Sequence, residues 1–165
     1  AVTLDVVGEG PMAAPWRAEA AALGLAGGVI WHGALGAGGV AQVIQQSHVF
    51  CLPSVRESGG AVLLEAMACA RPVIGMDFGG PAEVVDEAVG WKVAMPDAAT
   101  AVAGLAQALR EAFDKPEVAM RRGQQGLARV QAQHTWAAKI DTAQAIYARV
   151  LSAAAGAARS APLRP

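Results

Sequence analysis

The chain has 165 residues, a length suited to one domain with a single core, and 54% of them are hydrophobic against 16% charged, which excludes disorder. Lys and Arg total 13 against 14 Asp and Glu, with no basic run and no aromatic-basic interleaving, so nucleic acid is not expected as a partner. The longest apolar stretches are Ala-rich and broken by Gln, Glu or Gly, short of the roughly 20 consecutive apolar residues of a membrane span.

The chain opens Ala-Val, without Met and without a signal-peptide pattern, and runs directly into the strand-like "TLDVVG" (3–8). It is therefore expected to start inside a longer protein. A helical segment from around Ala13 to Leu23 ends at Gly24, and "GVIWHG" (28–33) reads as a second strand. The alternation then repeats: helix "VAQVIQQ" (40–46), strand "HVFCLP" (48–53), helix "AVLLEAMACA" (61–70), strand "RPVIGMD" (71–77), short helix "PAEVVD", strand "GWKVAM" (90–95). Strands separated by helices make βαβ units, so the expected class is α/β, a doubly wound, Rossmann-like parallel sheet with helices on both faces.

Asp97 follows Pro96 as an expected N-cap, before Val102, Leu105, Leu109 and Phe113 at helical spacing. A helix from about Glu117 to Gln133 follows. Trp136, Ile140, Ala143, Tyr147 and Val150 then form one stripe, so amphipathic helices close the chain, with Trp136 and Tyr147 expected in the core. The expected domain covers residues 1–152, and 153–165, without periodicity, reads as a flexible tail. Cys51 and Cys69 lie in apolar runs and read as reduced core thiols of a cytosolic protein. His32, His48 and His134 have no metal-ligand spacing.

In a doubly wound sheet, ligands bind beyond the carboxyl ends of the strands. "VFCLPSVRESGG" (49–60) is such a place: strand, Pro, polar loop, two glycines, then helix. Ser58 can cap that helix, and Gly59 and Gly60 would leave its first amides open to an anion, most naturally a phosphate. Glu65 follows Gly60 by five residues, roughly 7 Å along a helix, which is about the span from a phosphate to the ribose of one nucleotide. A carboxylate suits a vicinal diol. Glu57 precedes the glycines and would meet a group at the other end of a diphosphate, such as a sugar. Ordinary placement, with Glu65 snorkelling to solvent and Glu57 a plain loop acid, fits the spacing equally well. "GEGP" (8–11) and "HGALG" (32–36) close the first two strands on the same edge, where glycine allows close approach to a base or serves turn geometry alone.

Taken together, "VVGEGP", "HGAL", "VFCLPSVRESGGAVLLEAMACARPVIGMDFGGPAEVV", "GWKV" and "PDAATAVAGLAQAL" resemble, in order and spacing, the C-terminal nucleotide-sugar-binding domain of group 1 (family 4) retaining glycosyltransferases, which have the two-domain GT-B fold. The resemblance runs from about Thr3 to about Leu151, and its signature is a Glu, seven residues and a second Glu, matched by Glu57 and Glu65. It implies a nucleoside diphosphate sugar as co-substrate. Glu57 would act in catalysis and on the hydroxyls of the transferred sugar. Ser58, Gly59, Gly60 and Ala61 would lie by the sugar and diphosphate, and Glu65 would bind the ribose. His32, Gly33 and Leu35 of the "HGAL" loop would lie near the base, with Gly8 and Gly10 at the neighbouring strand end. The implied reaction retains anomeric configuration and uses no metal or other cofactor.

The chain also departs from that pattern. An N-terminal domain that would bind a glycan or lipid-linked acceptor, a first strand and the Gly-Arg…Lys-Gly loop whose cations neutralise the diphosphate are expected to lie outside this sequence. Arg56, Arg71 and Lys92 do not stand at the matching positions. Ala70 replaces a helix-ending Gly, and "ESGG" stands for Glu-Gly-Phe-Gly. The isolated chain is expected to be inactive, self-associating through its C-terminal helix, and cytoplasmic, with the full-length protein at the inner membrane face as a variant. A non-catalytic nucleotide-binding or interaction domain is the alternative, and a sugar-nucleotide epimerase a third reading opposed by the Glu pair.

Overall fold

The structure, a computed structural model, describes residues 2–160, with side chains described through residue 153. The chain divides into one unit ending at Leu127 and a second beginning at Ala128. The first holds β1 (Leu4–Val7), α1 (Ala13–Ala22), β2 (Val29–Gly33), α2 (Ala37–Gln46), β3 (Phe50–Leu52), α3 (Ala61–Ala68), β4 (Val73–Met76), α4 (Gly79–Val84), β5 (Gly90–Val93) and α5 (Ala98–Asp114); α6 (Pro116–Gln133) runs across the boundary. All five expected strands form, and every pairing is parallel.

The hydrogen-bonded ladder is in two parts, β1-β2 and β3-β4-β5. β4 shows why its sequence is uniformly apolar: Val73, Ile74, Gly75 and Met76 are all buried. Ile74 and Met76 enter a cluster with Trp91, Val93, Ala101, Ala108 and Ala119. On the other face a Cβ at Gly75 would meet Val85, Pro81 and Leu63. Helices thus cover both faces, the condition for a continuous apolar run in a parallel strand. β1 and β2 are less covered, with Leu4 56% exposed. They are tied by the His32 Nε2 to Asp5 Oδ1 hydrogen bond of 2.7 Å, and Arg17 stacks over Trp31 at 4.8 Å.

α5 corrects one expectation. Asp97 caps it as read, Oδ1 accepting from the Thr100 amide at 2.8 Å. Its inward residues, however, are Ala101 and Ala108, with Leu105 and Ala112 packed beside them, while Val102 and Phe113 are 67% and 69% exposed. The reason is close approach: a Cβ on Gly104 would lie 2.7 Å from Val93 Cγ1, so small residues face the sheet.

α3 ends in a Schellman turn, with the Ala70 amide donating to the Met67 carbonyl and the Arg71 amide to the Ala66 carbonyl. Ala70 takes the left-handed position at φ 55°. In the second unit, α7 (Trp136–Ser160) begins where Thr135 Oγ1 accepts from the Ala138 amide at 3.2 Å. Trp136 and Tyr147, expected in the core, are 86% and 67% exposed, and no residue of α7 with a described side chain is buried. The helix continues to Ser160, into the segment read as a tail, and residues 161–165 lie outside the described residues.

Candidate functional site at the carboxyl edge of the strands

The loop after β3 reaches α3 through Gly60, which is buried and left-handed at φ 64°. No side chain occupies the N-cap role assigned to Ser58: Gly60 is the N-cap residue and Ser58 is exposed. Glu57 does the related work from outside the helix. Its Oε1 accepts from the Gly60 amide at 3.0 Å and the Gly59 amide at 3.1 Å. These amides, Gly60 first, hold the Glu57 carboxyl below its ordinary value of 4.5.

The two glycine amides therefore meet the chain's own carboxylate, whereas the amides read as open to an anion are the first ones of the helix. The first-turn amides of Ala61 and Val62 are those a helix leaves without intrahelical partners. Glu65 sits on α3 between buried Leu63 and buried Ala66 and Met67, and is itself exposed. The acid in the apolar run thus faces out, a placement both readings of Glu65 allow.

A second group of expected residues gathers at the ends of β1 and β2. The Gly8 amide donates to the Gly33 carbonyl at 2.8 Å, tying the two glycine loops together. Glu9 covers Gly33, where a Cβ would lie 3.0 Å from Glu9 Oε1. Gly10 and Leu35 are exposed on the same loops. His32 is half-buried and engaged with Asp5, a structural partnership 27 residues apart that no motif announced. No hydrogen bond joins this group to the Glu57–Glu65 group among the described residues.

Of the three cations considered for the diphosphate, Arg71 donates to the Gln45 carbonyl at 2.8 Å and Lys92 to the Ala82 carbonyl at 2.5 Å. Arg56 is exposed next to Glu57. Cys51 and Cys69 are free thiols, and burial pushes the Cys51 thiol up to about 11, away from nucleophilic chemistry. Among the described residues no three His, Cys, Asp or Glu converge as a metal site, and no helix is long and apolar enough to cross a membrane. Sequence reasoning did not assign Gly79 and Gly80 to the site. They pack directly against the Glu57–Gly60 loop.

Fold and site together define a doubly wound α/β domain with the Glu57 loop following the carboxyl end of β3, where such domains take ligands. The chain belongs to the glycosyl transferases group 1 family, whose model matches residues 1–126. It is similar to the alpha-maltose-1-phosphate synthase of Mycobacterium tuberculosis, 35% identical over 127 residues, which cover 74% of this chain and 33% of that protein. It is also similar to the D-inositol 3-phosphate glycosyltransferase of Streptomyces avermitilis, 34% identical over 141 residues, 85% of this chain and 28% of that protein. Among solved structures, the sucrose-phosphate synthase from Thermosynechococcus elongatus superposes with a TM-score of 0.74 at 30% identity, covering 92% of this chain and 39% of that one. The glycosyltransferase WaaG, involved in lipopolysaccharide biosynthesis, shares the fold at a TM-score of 0.73 and 23% identity, covering 87% of this chain and 38% of that one. The chain thus spans about a third of the length of the curated relatives it matches.

Proposed function

We propose that this chain is the donor-binding half of a retaining glycosyltransferase that moves a sugar from a nucleoside diphosphate sugar to an acceptor hydroxyl. The observation that carries the reading is the Glu57 carboxylate fixed on the Gly59 and Gly60 amides at the mouth of α3, with Glu65 exposed further along the same helix. Glu57 is thereby preorganised without a mobile side chain having to be ordered when the sugar arrives. In this reading Glu57 meets the sugar hydroxyls, and Ser58 to Ala61 flank the sugar and diphosphate. Glu65 takes the ribose, and the loops bearing Gly8, Gly10, Gly33 and Leu35 face the base; His32 supports that wall through Asp5.

The bond from the anomeric carbon to the diphosphate oxygen breaks with its electron pair leaving on the diphosphate. The acceptor oxygen bonds the same face of the sugar, and its proton passes to the departing group. Developing charge on the diphosphate is stabilised by amides held in place before the reaction begins. The proposal includes no metal. It assigns the acceptor wall, glycan or lipid-linked, to a further domain of a longer protein, together with a strand that would pair a free edge left where the ladder divides between β1-β2 and β3-β4-β5. Alone, the chain binds donor and transfers nothing. The exposed stripe of α7 is assigned to association, with that domain or with a second copy. A cytoplasmic place, with peripheral membrane attachment of the longer protein as a variant, belongs to the same proposal.

Hydrogen exchange with UDP-, GDP- and ADP-glucose tests the reading. Protection over residues 57–65 together with 8–10 and 33–35, by one of the three, is expected. Protection confined to other segments would overturn it.

A further inference from the structure

The turn from β4 into α4 follows the Glu57–Gly60 loop residue by residue. A Cβ on Gly79 would lie 2.2 Å from the Glu57 carbonyl oxygen. One on Gly80 would lie 2.6 Å from the Ser58 carbonyl oxygen and 2.6 Å from the Gly59 carbonyl carbon. Pro81, buried, comes next, with its ring 3.4 Å from a Cβ built on Gly60. Gly79 also has φ 57°, the left-handed region that favours glycine. Backbone lies directly on backbone here, and the atoms a side chain would strike are carbonyls, which cannot rotate away as the tip of a flexible side chain can.

These contacts bear on the site because the same backbone carries its geometry. The Gly59 and Gly60 amides that the turn supports from one side are those that hold the Glu57 carboxylate. Moving the loop by a fraction of an ångström would move Glu57 with it.

We propose that Gly79 and Gly80 are positioning residues for the donor sugar: the first turn of α4 is the template on which the Glu57–Gly60 loop is set. The inference rests on the donor-binding reading above. It assigns the pair a share in recognition of the sugar and none in recognition of the nucleoside, since Glu65, Gly8, Gly10, Gly33 and Leu35 make none of these contacts.

The experiment compares Gly80→Ala with the unaltered chain, titrating UDP and UDP-glucose, GDP and GDP-mannose, and ADP and ADP-glucose by calorimetry. The quantity read is the ratio of the Kd for the sugar conjugate to that for the bare nucleotide, in whichever pair binds. Gly104→Ala is the packing control, because its Cβ would strike Val93 Cγ1 at 2.7 Å on α5, away from the loop. The expected result is a ratio worsened by about tenfold or more in Gly80→Ala, with the nucleotide Kd within about twofold, and no change of ratio in Gly104→Ala. Gly79→Asn, which tolerates a left-handed backbone but still places a Cβ against the Glu57 carbonyl, is expected to behave like Gly80→Ala. If both positions are too crowded to allow folding, the same ratio is read from Pro81→Ala, which adds no heavy atom and withdraws the ring packed against Gly60. An unchanged ratio in a folded variant, or an equal loss in Gly104→Ala, would overturn the positioning role alone. Failure of the unaltered chain to bind any of the six ligands would overturn the donor reading beneath it.

Discussion

Glu57 Oε1 bridges two consecutive amides, 3.1 Å from Gly59 N and 3.0 Å from Gly60 N. One carboxylate oxygen therefore fixes the loop in the form that presents the start of α3.

The bridge makes the loop sensitive to acid. The amides stabilise the charged form and hold the folded carboxyl below its ordinary 4.5. A group depressed on folding contributes stability above its unfolded pKa and loses it as pH falls through the lower folded value. The Gly59 and Gly60 amide resonances should therefore shift together with the Glu57 carboxyl, in a step below pH 4.5. Titration of that carboxyl at or above 4.5, or glycine amides that ignore it, would contradict the bridge. Glu57→Gln, which keeps an oxygen acceptor, should retain more of the loop geometry than Glu57→Ala.

Ala70 is the one non-glycine residue with positive φ among the described residues. A side chain in the left-handed region costs about 1–2 kcal/mol. Ala70→Gly should raise stability in urea unfolding by about 1 kcal/mol, part of the relief being offset by the freer unfolded chain. The donor site should be unaffected.

Cys51 offers a chemical check of burial. A thiol raised from 9.0 to about 11 has roughly a hundredfold less thiolate at neutral pH. Iodoacetamide at pH 8 should leave Cys51 unmodified in the folded chain and alkylate it once denatured. Rapid labelling of the native protein would mean that β3 opens readily.

Trp136, Ile140, Tyr147, Val150 and Leu151 are all exposed on α7. Light scattering at rising concentration should report self-association of this chain, weakened in Ile140→Lys together with Tyr147→Lys. A monomer throughout the range would remove association with a second copy from the account.

The strands were legible because short apolar runs between Gly, Pro and polar residues have few alternatives, and the alternation with helices dictated parallel pairing. The Glu57 and Glu65 spacing was legible as a motif. The face of α5 was not, because the approach of Gly104 to Val93 selects alanines where periodicity pointed to Val102 and Phe113. Ser58 looked like the cap because cap preferences describe residues next to a helix, whereas Glu57 reaches the amides across a left-handed glycine. The Asp5–His32 and Arg122–Trp91 contacts join residues far apart in sequence and left no local trace.

The central claim is best tested by calorimetric titration of the chain with UDP, GDP, ADP and their sugar conjugates, repeated on Glu65→Ala. The account predicts that one nucleotide series binds and that Glu65→Ala weakens it by about tenfold or more while the melting temperature barely moves, as expected for an exposed ribose ligand. A sharp fall in melting temperature with binding intact would show that Glu65 serves the fold and would contradict the donor site as described.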